Sequence, residues 1–334
     1  MADGPAAMAG WRTRAAELPW PLSALARLPR KSERAARRAA VAKARLTQQA
    51  RAQLAAFMDS EERIVWPTWD GPPDVTAVLV VWNQPHLVLR SLMALRDQLG
   101  AALELVLVDN ASDAETQALL RRVDGVTLVR NASNKGFLTA ANQGAAAARA
   151  GAIVFVNSDA FPRQGAVAHA LAALFARPDV GAVAGRVILP SGRVQEAGCI
   201  VWTDGATAGY GRGWRPDDAR LGAPRDIDYG SGAFLMTRRD VWKSLGGFDP
   251  VYGFGYFEEA DYCLRLWAAG WRVVYAPTVV TEHFEFGSEA KAGDAAHISE
   301  ANRAVFRERH AAALARQLPA SKDNLAAART HAPR

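Results

Sequence analysis

Short, continuous apolar runs recur along the chain, each closed by polar residues and followed by a stretch with helical spacing of its apolar positions. The runs are "VTAVLVVW" (75–82), "LELVLVDN" (103–110), "VTLVR" (126–130) and "IVFVNSDA" (153–160). Between and after them lie "HLVLRSLMALRDQL", "AETQALLRRV", "LTAANQGAAAARA" and "RQGAVAHALAALF". β-branched runs that are apolar on both faces and alternate with helices predict parallel strands under helical cover, an open α/β sheet. The second half is less regular. "VGAVAGRVIL" (180–189) predicts a strand, "GSGAFLMTRRDVW" (230–242) a strand running into a helix, "EEADYCLRLWAAG" a helix and "WRVVYAP" a short strand. The glycines, tryptophans and arginines of "TDGATAGYGRGWRPDDARLGAPRD" predict a mobile, functional loop. A last helix is expected over about residues 296–318, followed by a polar tail.

Half of the 334 residues are apolar, ample for a real core in one large domain or two modest ones. No apolar stretch approaches the roughly 20 residues of a spanning helix, and the N-terminus has no signal-peptide core, so a cytoplasmic location is expected. Cys199 and Cys263 are too few for a disulfide scaffold and read as reduced packing residues. The net charge of +6 is localised: residues 1–60 hold 11 Lys/Arg against 4 Asp/Glu, the remainder 29 against 30. The basic segment contains "RKSERAARRAAVAKARLTQQARAQLAAFM", rich in helix formers and poor in large apolar groups before Leu54. Two readings stand for it: a solvated helix packed along one edge, or a basic helix resting on anionic lipid at the inner face of the membrane or on an acidic partner. Nucleic acid is disfavoured, because no aromatic residues interleave with the arginines of the helix. "WPTWDGPPD" (66–74) marks a boundary. The expected division is a basic helical extension over 1–70, a main domain over 71–290, and a C-terminal helix with its tail over 291–334.

Ligands of open α/β sheets bind beyond the carboxyl ends of the strands. Three polar strand ends therefore matter: Trp82-Asn83, Asp109-Asn110 and Asn157-Ser158-Asp159. Each has a plainer reading as a turn, and Ser158 or Asp159 could cap the helix that follows. Carboxylate and amide oxygens at such an edge are also suited to a metal and the phosphates it bridges. Glu258, Glu259 and Asp261 open a predicted helix, where acids are favoured by the dipole, and Asp261 with Arg265 fits an i, i+4 pair. A nicotinamide-dependent oxidoreductase is disfavoured by "NQPHLV" after the first strand, where a Gly-x-Gly-x-x-Gly turn would sit, and no Walker loop is present. "HFE" is not followed by the Pro-Cys-x-x-Cys of zinc deaminases.

Seven segments in order, "VVWNQ", "LVLVDNAS", "RNASNKGF", "FVNSDA", "GSGAFLMTRR", "LGGFDPVYGFGYFEEADYCLRLWAAGWRVVYAP" and "EHFEFGS", resemble the inverting family 2 glycosyltransferases, in particular their rhamnosyltransferase-like branch. The resemblance covers about residues 75–290. It implies a GT-A fold, an open, mostly parallel sheet flanked by helices with a Rossmann-like nucleotide-binding half and an acceptor half. It also implies a nucleotide-sugar donor, Mg²⁺ or Mn²⁺, and a glycan or lipid-linked glycan acceptor. By that resemblance Asn83, Asp109 and Asn134 line the base and ribose pocket. Asn157-Ser158-Asp159 stands where the family has Asp-Xaa-Asp, so Asp159 carries the metal, with Asn157 contributing an amide oxygen and His283 completing the shell. Ser231 and Gly232 lie under the donor sugar. Glu259 stands where the family's second acid is the base, with Glu258 and Asp261 binding acceptor hydroxyls or orienting the loop. The expected function is metal-dependent, inverting transfer of a sugar to a cell-surface glycan or glycolipid. The alternative is a non-catalytic glycan- or nucleotide-binding module on the same fold.

Overall fold

The computed structural model of the protein describes residues 30–285, 292–321 and 324–325. The start of the basic extension, the end of the "EHFEFGS" segment and the last residues of the tail lie outside the described residues. A long helix, α1 (Arg30–Asp59), leads to the short strand β1 (Ile64–Val65). The alternation then runs β2 (Val75–Val81), α2 (Pro85–Arg96), β3 (Leu103–Asp109), α3 (Ala114–Leu120), β4 (Val123–Asp124), β5 (Thr127–Arg130), α4 (Phe137–Ala146) and β6 (Ala152–Asn157). Every residue of β2 and β3 is buried, and so is β6 up to Asn157. Covered on both faces, such strands carry no alternation of polar positions. They pair in parallel in the order β6-β2-β3-β5, which puts their carboxyl ends on one edge.

The chain continues through β7 (Ala160–Pro162), α5 (Ala166–Phe175), β8 (Val180–Ile188), β9 (Val194–Ala197), β10 (Cys199–Val201), β11 (Thr207–Gly209), β12 (Arg225–Asp226), β13 (Leu235–Arg238), α6 (Arg239–Ser244), α7 (Glu258–Ala268), β14 (Arg272–His283), α8 (Ala292–Arg309) and α9 (Ala311–Leu314). The sheet extends past β6 as β13-β8-β14-β12. Here β13 is antiparallel to both neighbours, whereas β8 and β14 are parallel.

Three expectations change. Asp159 does not cap a helix: β7 follows it, and α5 starts after Gly165, whose φ of 81° is left-handed. The 203–226 stretch is anchored to the domain at several points, although half of its residues are exposed. β10 and β11 form a hairpin, Tyr210 and Leu221 are buried, and the Arg220 guanidinium stacks 3.5 Å from the Trp214 ring centre. Gly209 permits this, since a Cβ there would lie 2.6 Å from the Gln195 carbonyl oxygen. The short strand ending near Pro277 is instead twelve residues long. A register shift between Tyr275 and Val280 accommodates the proline, which has no N–H for the ladder, and the strand resumes to His283.

The second half of α1 packs along the domain edge, burying Ala50, Leu54 and Phe57. Arg122 secures its end, donating to the carbonyls of Phe57 (2.9 Å), Met58 (3.0 Å) and Ser60 (2.6 Å). At the other side, α8 and α9 brace the segment leading into α7. Asn302 Nδ2 donates to the carbonyls of Tyr252 (2.8 Å) and Gly255 (2.7 Å). Asp261 is fully buried beneath this segment and accepts from Tyr252 Oη (3.1 Å), Arg265 Nε (2.7 Å) and His310 Nε2 (2.8 Å), with Arg309 Nε at 3.1 Å. Arg265 also donates to the carbonyls of Leu245 and Gly247, both at 2.6 Å.

Burial alone would raise the Asp261 pKa, but His310 and Arg265 outweigh it and hold the carboxyl below its usual range. Its stabilising contribution is therefore complete above the unfolded-state carboxylate pKa and lost as pH falls through the folded value. Asp261→Asn is expected to lower the unfolding free energy by about 3 kcal/mol at pH 7, as breaking a buried ion pair does. In urea denaturation the difference between parent and variant should be complete above about pH 4 and shrink as pH falls further. Equal stability at pH 7 would contradict this bracing role.

Candidate active site

At the carboxyl edge of the parallel half, the backbone turns sharply after β2 through Asn83 and Gln84, both left-handed at φ 58° and 56°. Paired non-glycine residues in this region cost conformational energy and are held by their surroundings. Asn83 Oδ1 accepts from the Asp113 N–H (2.7 Å), and its own N–H donates to Ser112 Oγ (3.2 Å). Asp109 is buried, accepts from the Ser112 N–H (2.9 Å), and has Arg130 Nε 3.8 Å away. Asn110 binds the neighbouring loop, accepting from Asn131 Nδ2 and the Lys135 N–H (both 3.0 Å) and donating to Asn134 Oδ1 (2.8 Å). Asn83, Asp109 and Asn134 thus stand on one hydrogen-bonded edge. Asn110 is the residue that ties it, and its signal in the sequence was a second polar group at the strand end.

Asp159 and His283 meet because β14 pairs antiparallel with β7, setting His283 opposite Ala160. Asp159 Oδ1 lies 3.1 Å from His283 Nε2, and only 4% of Asp159 and 7% of His283 is exposed. His283 Nδ1 lies 2.9 Å from Gln195 Oε1. An amide oxygen only accepts, so Nδ1 carries a proton and Nε2 is directed at Asp159. Burial pushes the imidazole toward neutrality, but Asp159, with Glu196 and Glu285 behind it, raises its pKa overall. A carboxylate oxygen and an imidazole nitrogen about 3 Å apart match two adjacent ligands of an octahedral cation with bonds of about 2.1 Å. Such a pair offers one oxygen and one nitrogen donor to a divalent cation. Among the described residues no group of three or more His, Cys, Asp or Glu side chains could hold a metal.

Glu259 opens α7 and accepts from the Gly232 N–H at 2.9 Å. A Cβ on Gly232 would fall 2.8 Å from Glu259 Oε1, 3.2 Å from Phe137 Cζ and 3.4 Å from Asn157 Oδ1. Glycine at 232 therefore lets the β6 end and the α7 acid converge on one point. Ser231 Oγ donates to Glu196 Oε1 at 2.7 Å. Gln195 and Glu196 were not anticipated. Val194 pairs with Ile188 and Glu196 with Val187, so Gln195 is an extra residue in a β-bulge. The bulge frees these consecutive buried residues from strict alternation, one reaching His283 and the other Ser231. Two polar groups inside an apolar strand, "VQEA", were the available signal.

Glu258 is buried, and its Oε2 has no hydrogen-bond partner among the described residues. Burial and the charge of Glu259 push its pKa well above the usual range. Burial also raises Glu259, against the opposing hydrogen bond from Gly232. Tyr256 and Phe257, both left-handed at φ 69° and 75°, deliver these acids, and Phe254 and Tyr256 stand exposed beside them. Asp261, one turn further on, serves the brace described above and does not join this group.

Residues 76–245 match the family described as glycosyl transferase family 2. The N-acetylglucosaminyl-diphospho-decaprenol L-rhamnosyltransferase of Mycobacterium tuberculosis is 28% identical over 258 residues, 70% of this chain and 83% of the relative. The pre-mycofactocin glycosyltransferase of the same organism is 26% identical over 219 residues, covering 65% of this chain and 44% of the relative. The chain spans less than half the length of the first curated relatives it matches. The crystal structure of GalNAc-T7 with UDP, GalNAc and Mn²⁺ superposes with a TM-score of 0.56 at 15% identity, over 72% of this chain and 48% of that one. The shared fold is the GT-A fold, and with the family match covering half of its length, the chain belongs to glycosyl transferase family 2.

Proposed function

We propose that this chain transfers a sugar, of rhamnosyl type, from a nucleoside diphosphate donor to a hydroxyl of a glycan or lipid-linked glycan, with inversion and with Mg²⁺ or Mn²⁺ bound. The observation that carries the reading is the Asp159–His283 pair at the strand edge, with the Glu259 carboxylate across Gly232 from Asn157. The family match supports glycosyl transfer, and the relative named an L-rhamnosyltransferase supports the sugar and a lipid diphosphate acceptor. UDP and Mn²⁺ in the GalNAc-T7 complex support the donor class and the metal.

Asp159 and His283 would hold the cation, and Asn157, two residues before Asp159, would add an amide oxygen. Bound there, a divalent ion supplies Lewis-acid neutralisation of charge on the leaving diphosphate. Asn83, Asp109 and Asn134 present a carboxylate and amides to the hydrogen-bond donors of base and ribose. Ser231 and Gly232 would lie under the donor sugar. Glu259, fixed by the Gly232 N–H, accepts the proton of the acceptor hydroxyl as its oxygen bonds to the anomeric carbon and the carbon–oxygen bond to the diphosphate breaks. Burial and the neighbouring Glu259 charge favour the protonated form of Glu258. Exposed Phe254 and Tyr256 offer faces for an acceptor sugar. Among the described residues no helix is long and apolar enough to cross a membrane. A lipid-linked acceptor would bring the basic α1 to the inner face of the membrane in the cytoplasm.

The reading is tested with UDP-, dTDP- and GDP-sugars and Mn²⁺ or Mg²⁺, following thermal shift and release of nucleoside diphosphate. One donor should give a metal-dependent shift in the parent, and Asp159→Ala should abolish the metal-dependent part. Glu259→Gln should keep donor binding while kcat falls by about 10²- to 10⁴-fold. Loss of donor binding in that variant, or full activity, would refute the base assignment. Because the Glu259 pKa is raised, kcat should decline as pH falls through it, where protonation removes the base, and Glu259→Asp should shift that acid limb. A pH-independent rate between pH 5 and 8 that the Asp variant leaves unaltered would contradict the mechanism.

A further inference from the structure

The first half of α1 lies outside the matched region and supplies no side chain to the site described above. Beside it runs an open groove of about 770 Å³, lined by Arg37, Arg38, Val41, Arg45, Leu46 and Pro190 among others. Among the described residues from Ala35 onward no acidic group pairs with Arg37, Arg38 or Arg45, whereas most arginines elsewhere in the fold are matched to a carboxylate or a carbonyl. Val41 is 62% exposed, an apolar side chain between guanidinium groups. The groove is therefore cationic and apolar along the same wall, and it is concave. A flat bilayer surface needs no such concavity, whereas one amphiphile with a phosphorylated head and a hydrocarbon chain fits both properties.

The groove adjoins the catalytic edge. Leu46 packs on the small cluster of Leu87, Phe161 and Phe284. Lys43 lies 4.3 Å from the ring centre of Phe284, the residue after His283, and donates to the Glu285 carbonyl at 2.6 Å. Pro190 follows the β8 end in the turn to β9, the strand that carries Gln195 and Glu196.

We propose that this groove binds the diphosphate and the first part of the hydrocarbon chain of a lipid-linked sugar acceptor, with Arg37, Arg38 and Arg45 on the phosphate oxygens and Val41, Leu46 and Pro190 on the chain. The acceptor assignment rests on the transfer reading above; the binding site itself does not. Guanidinium groups pair with phosphate oxygens through two parallel hydrogen bonds, and the apolar wall selects against free phosphates.

The probe is farnesyl diphosphate below its micelle concentration, titrated calorimetrically in metal-free buffer so that no cation recruits it to Asp159 and His283. The parent is expected to bind it at least about tenfold more tightly than inorganic pyrophosphate or farnesol. Arg37→Ala/Arg38→Ala/Arg45→Ala should remove that preference while its melting temperature and its binding of the nucleotide-sugar donor with Mn²⁺ stay at parental values. Val41→Asp should weaken farnesyl diphosphate and leave pyrophosphate unaffected. Parental binding by the triple variant would overturn the proposal. So would loss of binding to phosphatidylglycerol vesicles with farnesyl diphosphate affinity retained, which would make α1 a membrane-surface contact. In transfer assays the triple variant should show a raised KM for a lipid-diphosphate acceptor and an unchanged KM for the same sugar as a short alkyl glycoside. Equal effects on both would also overturn it. If the parent transferred to neither acceptor, the transfer reading would fail while the farnesyl diphosphate result still decided the groove.

Discussion

The contact between Asp159 and His283 depends on two strand pairings that hold residues 124 positions apart within hydrogen-bond distance. β7 begins one residue after Asp159, and β14 reaches it only because the strand survives Pro277 through a shift in register. Without that extension His283 would lie on a loop, and the carboxylate would face the edge without its imidazole. Both groups are almost wholly removed from water, where an unpaired charge is expensive and a paired one is held in place. The same burial that makes the pair costly to build makes its geometry fixed.

The rest of the site is arranged around small departures from regular structure. A bulge in β9 turns Gln195 and Glu196 toward two different partners. Gly232 removes a side chain where a β-strand end and a helix N-terminus come together. Left-handed Tyr256 and Phe257 swing two acids into a crowded space, and α8, through Asn302, keeps the carbonyls of that turn satisfied. Strain of this kind concentrates where a fold must present side chains that packing alone would not place. The paired acids Glu258 and Glu259 show the electrostatic outcome: crowded together and buried, they favour one shared proton over two full charges.

Three carboxylates close in sequence end in two different roles. Glu258 and Glu259 face each other near Gly232, whereas Asp261 sits among Arg265, Arg309, His310 and Tyr252 as the anchor of the C-terminal helices. The i, i+4 pairing of Asp261 with Arg265 was visible in the linear spacing. The additional partners from α8 and just beyond it were not, because residues 309 and 310 reach Asp261 only once the C-terminal helices dock. A similar division runs through α1. Its sparse apolar positions announced a helix packed along an edge, and Leu54 and Phe57 bear this out, but the groove beside its basic half is formed in part by Pro190 from a distant turn.

The sequence by itself determined the parallel half of the sheet, because its central strands, buried on both faces, are almost wholly apolar and turn polar at their ends where the cover stops. It also singled out Asp109, Asp159 and the acids of α7 as candidates, through motifs whose residues are close in the chain. Tertiary structure alone decided which of these meet. The partnership of Asp159 with His283, the tautomer set by Gln195, the link from Ser231 to Glu196 and the removal of Asp261 from the site all join residues remote in sequence. Their distances are fixed by strand register and helix docking, which arise from the packing of the whole domain and leave no local periodicity to read.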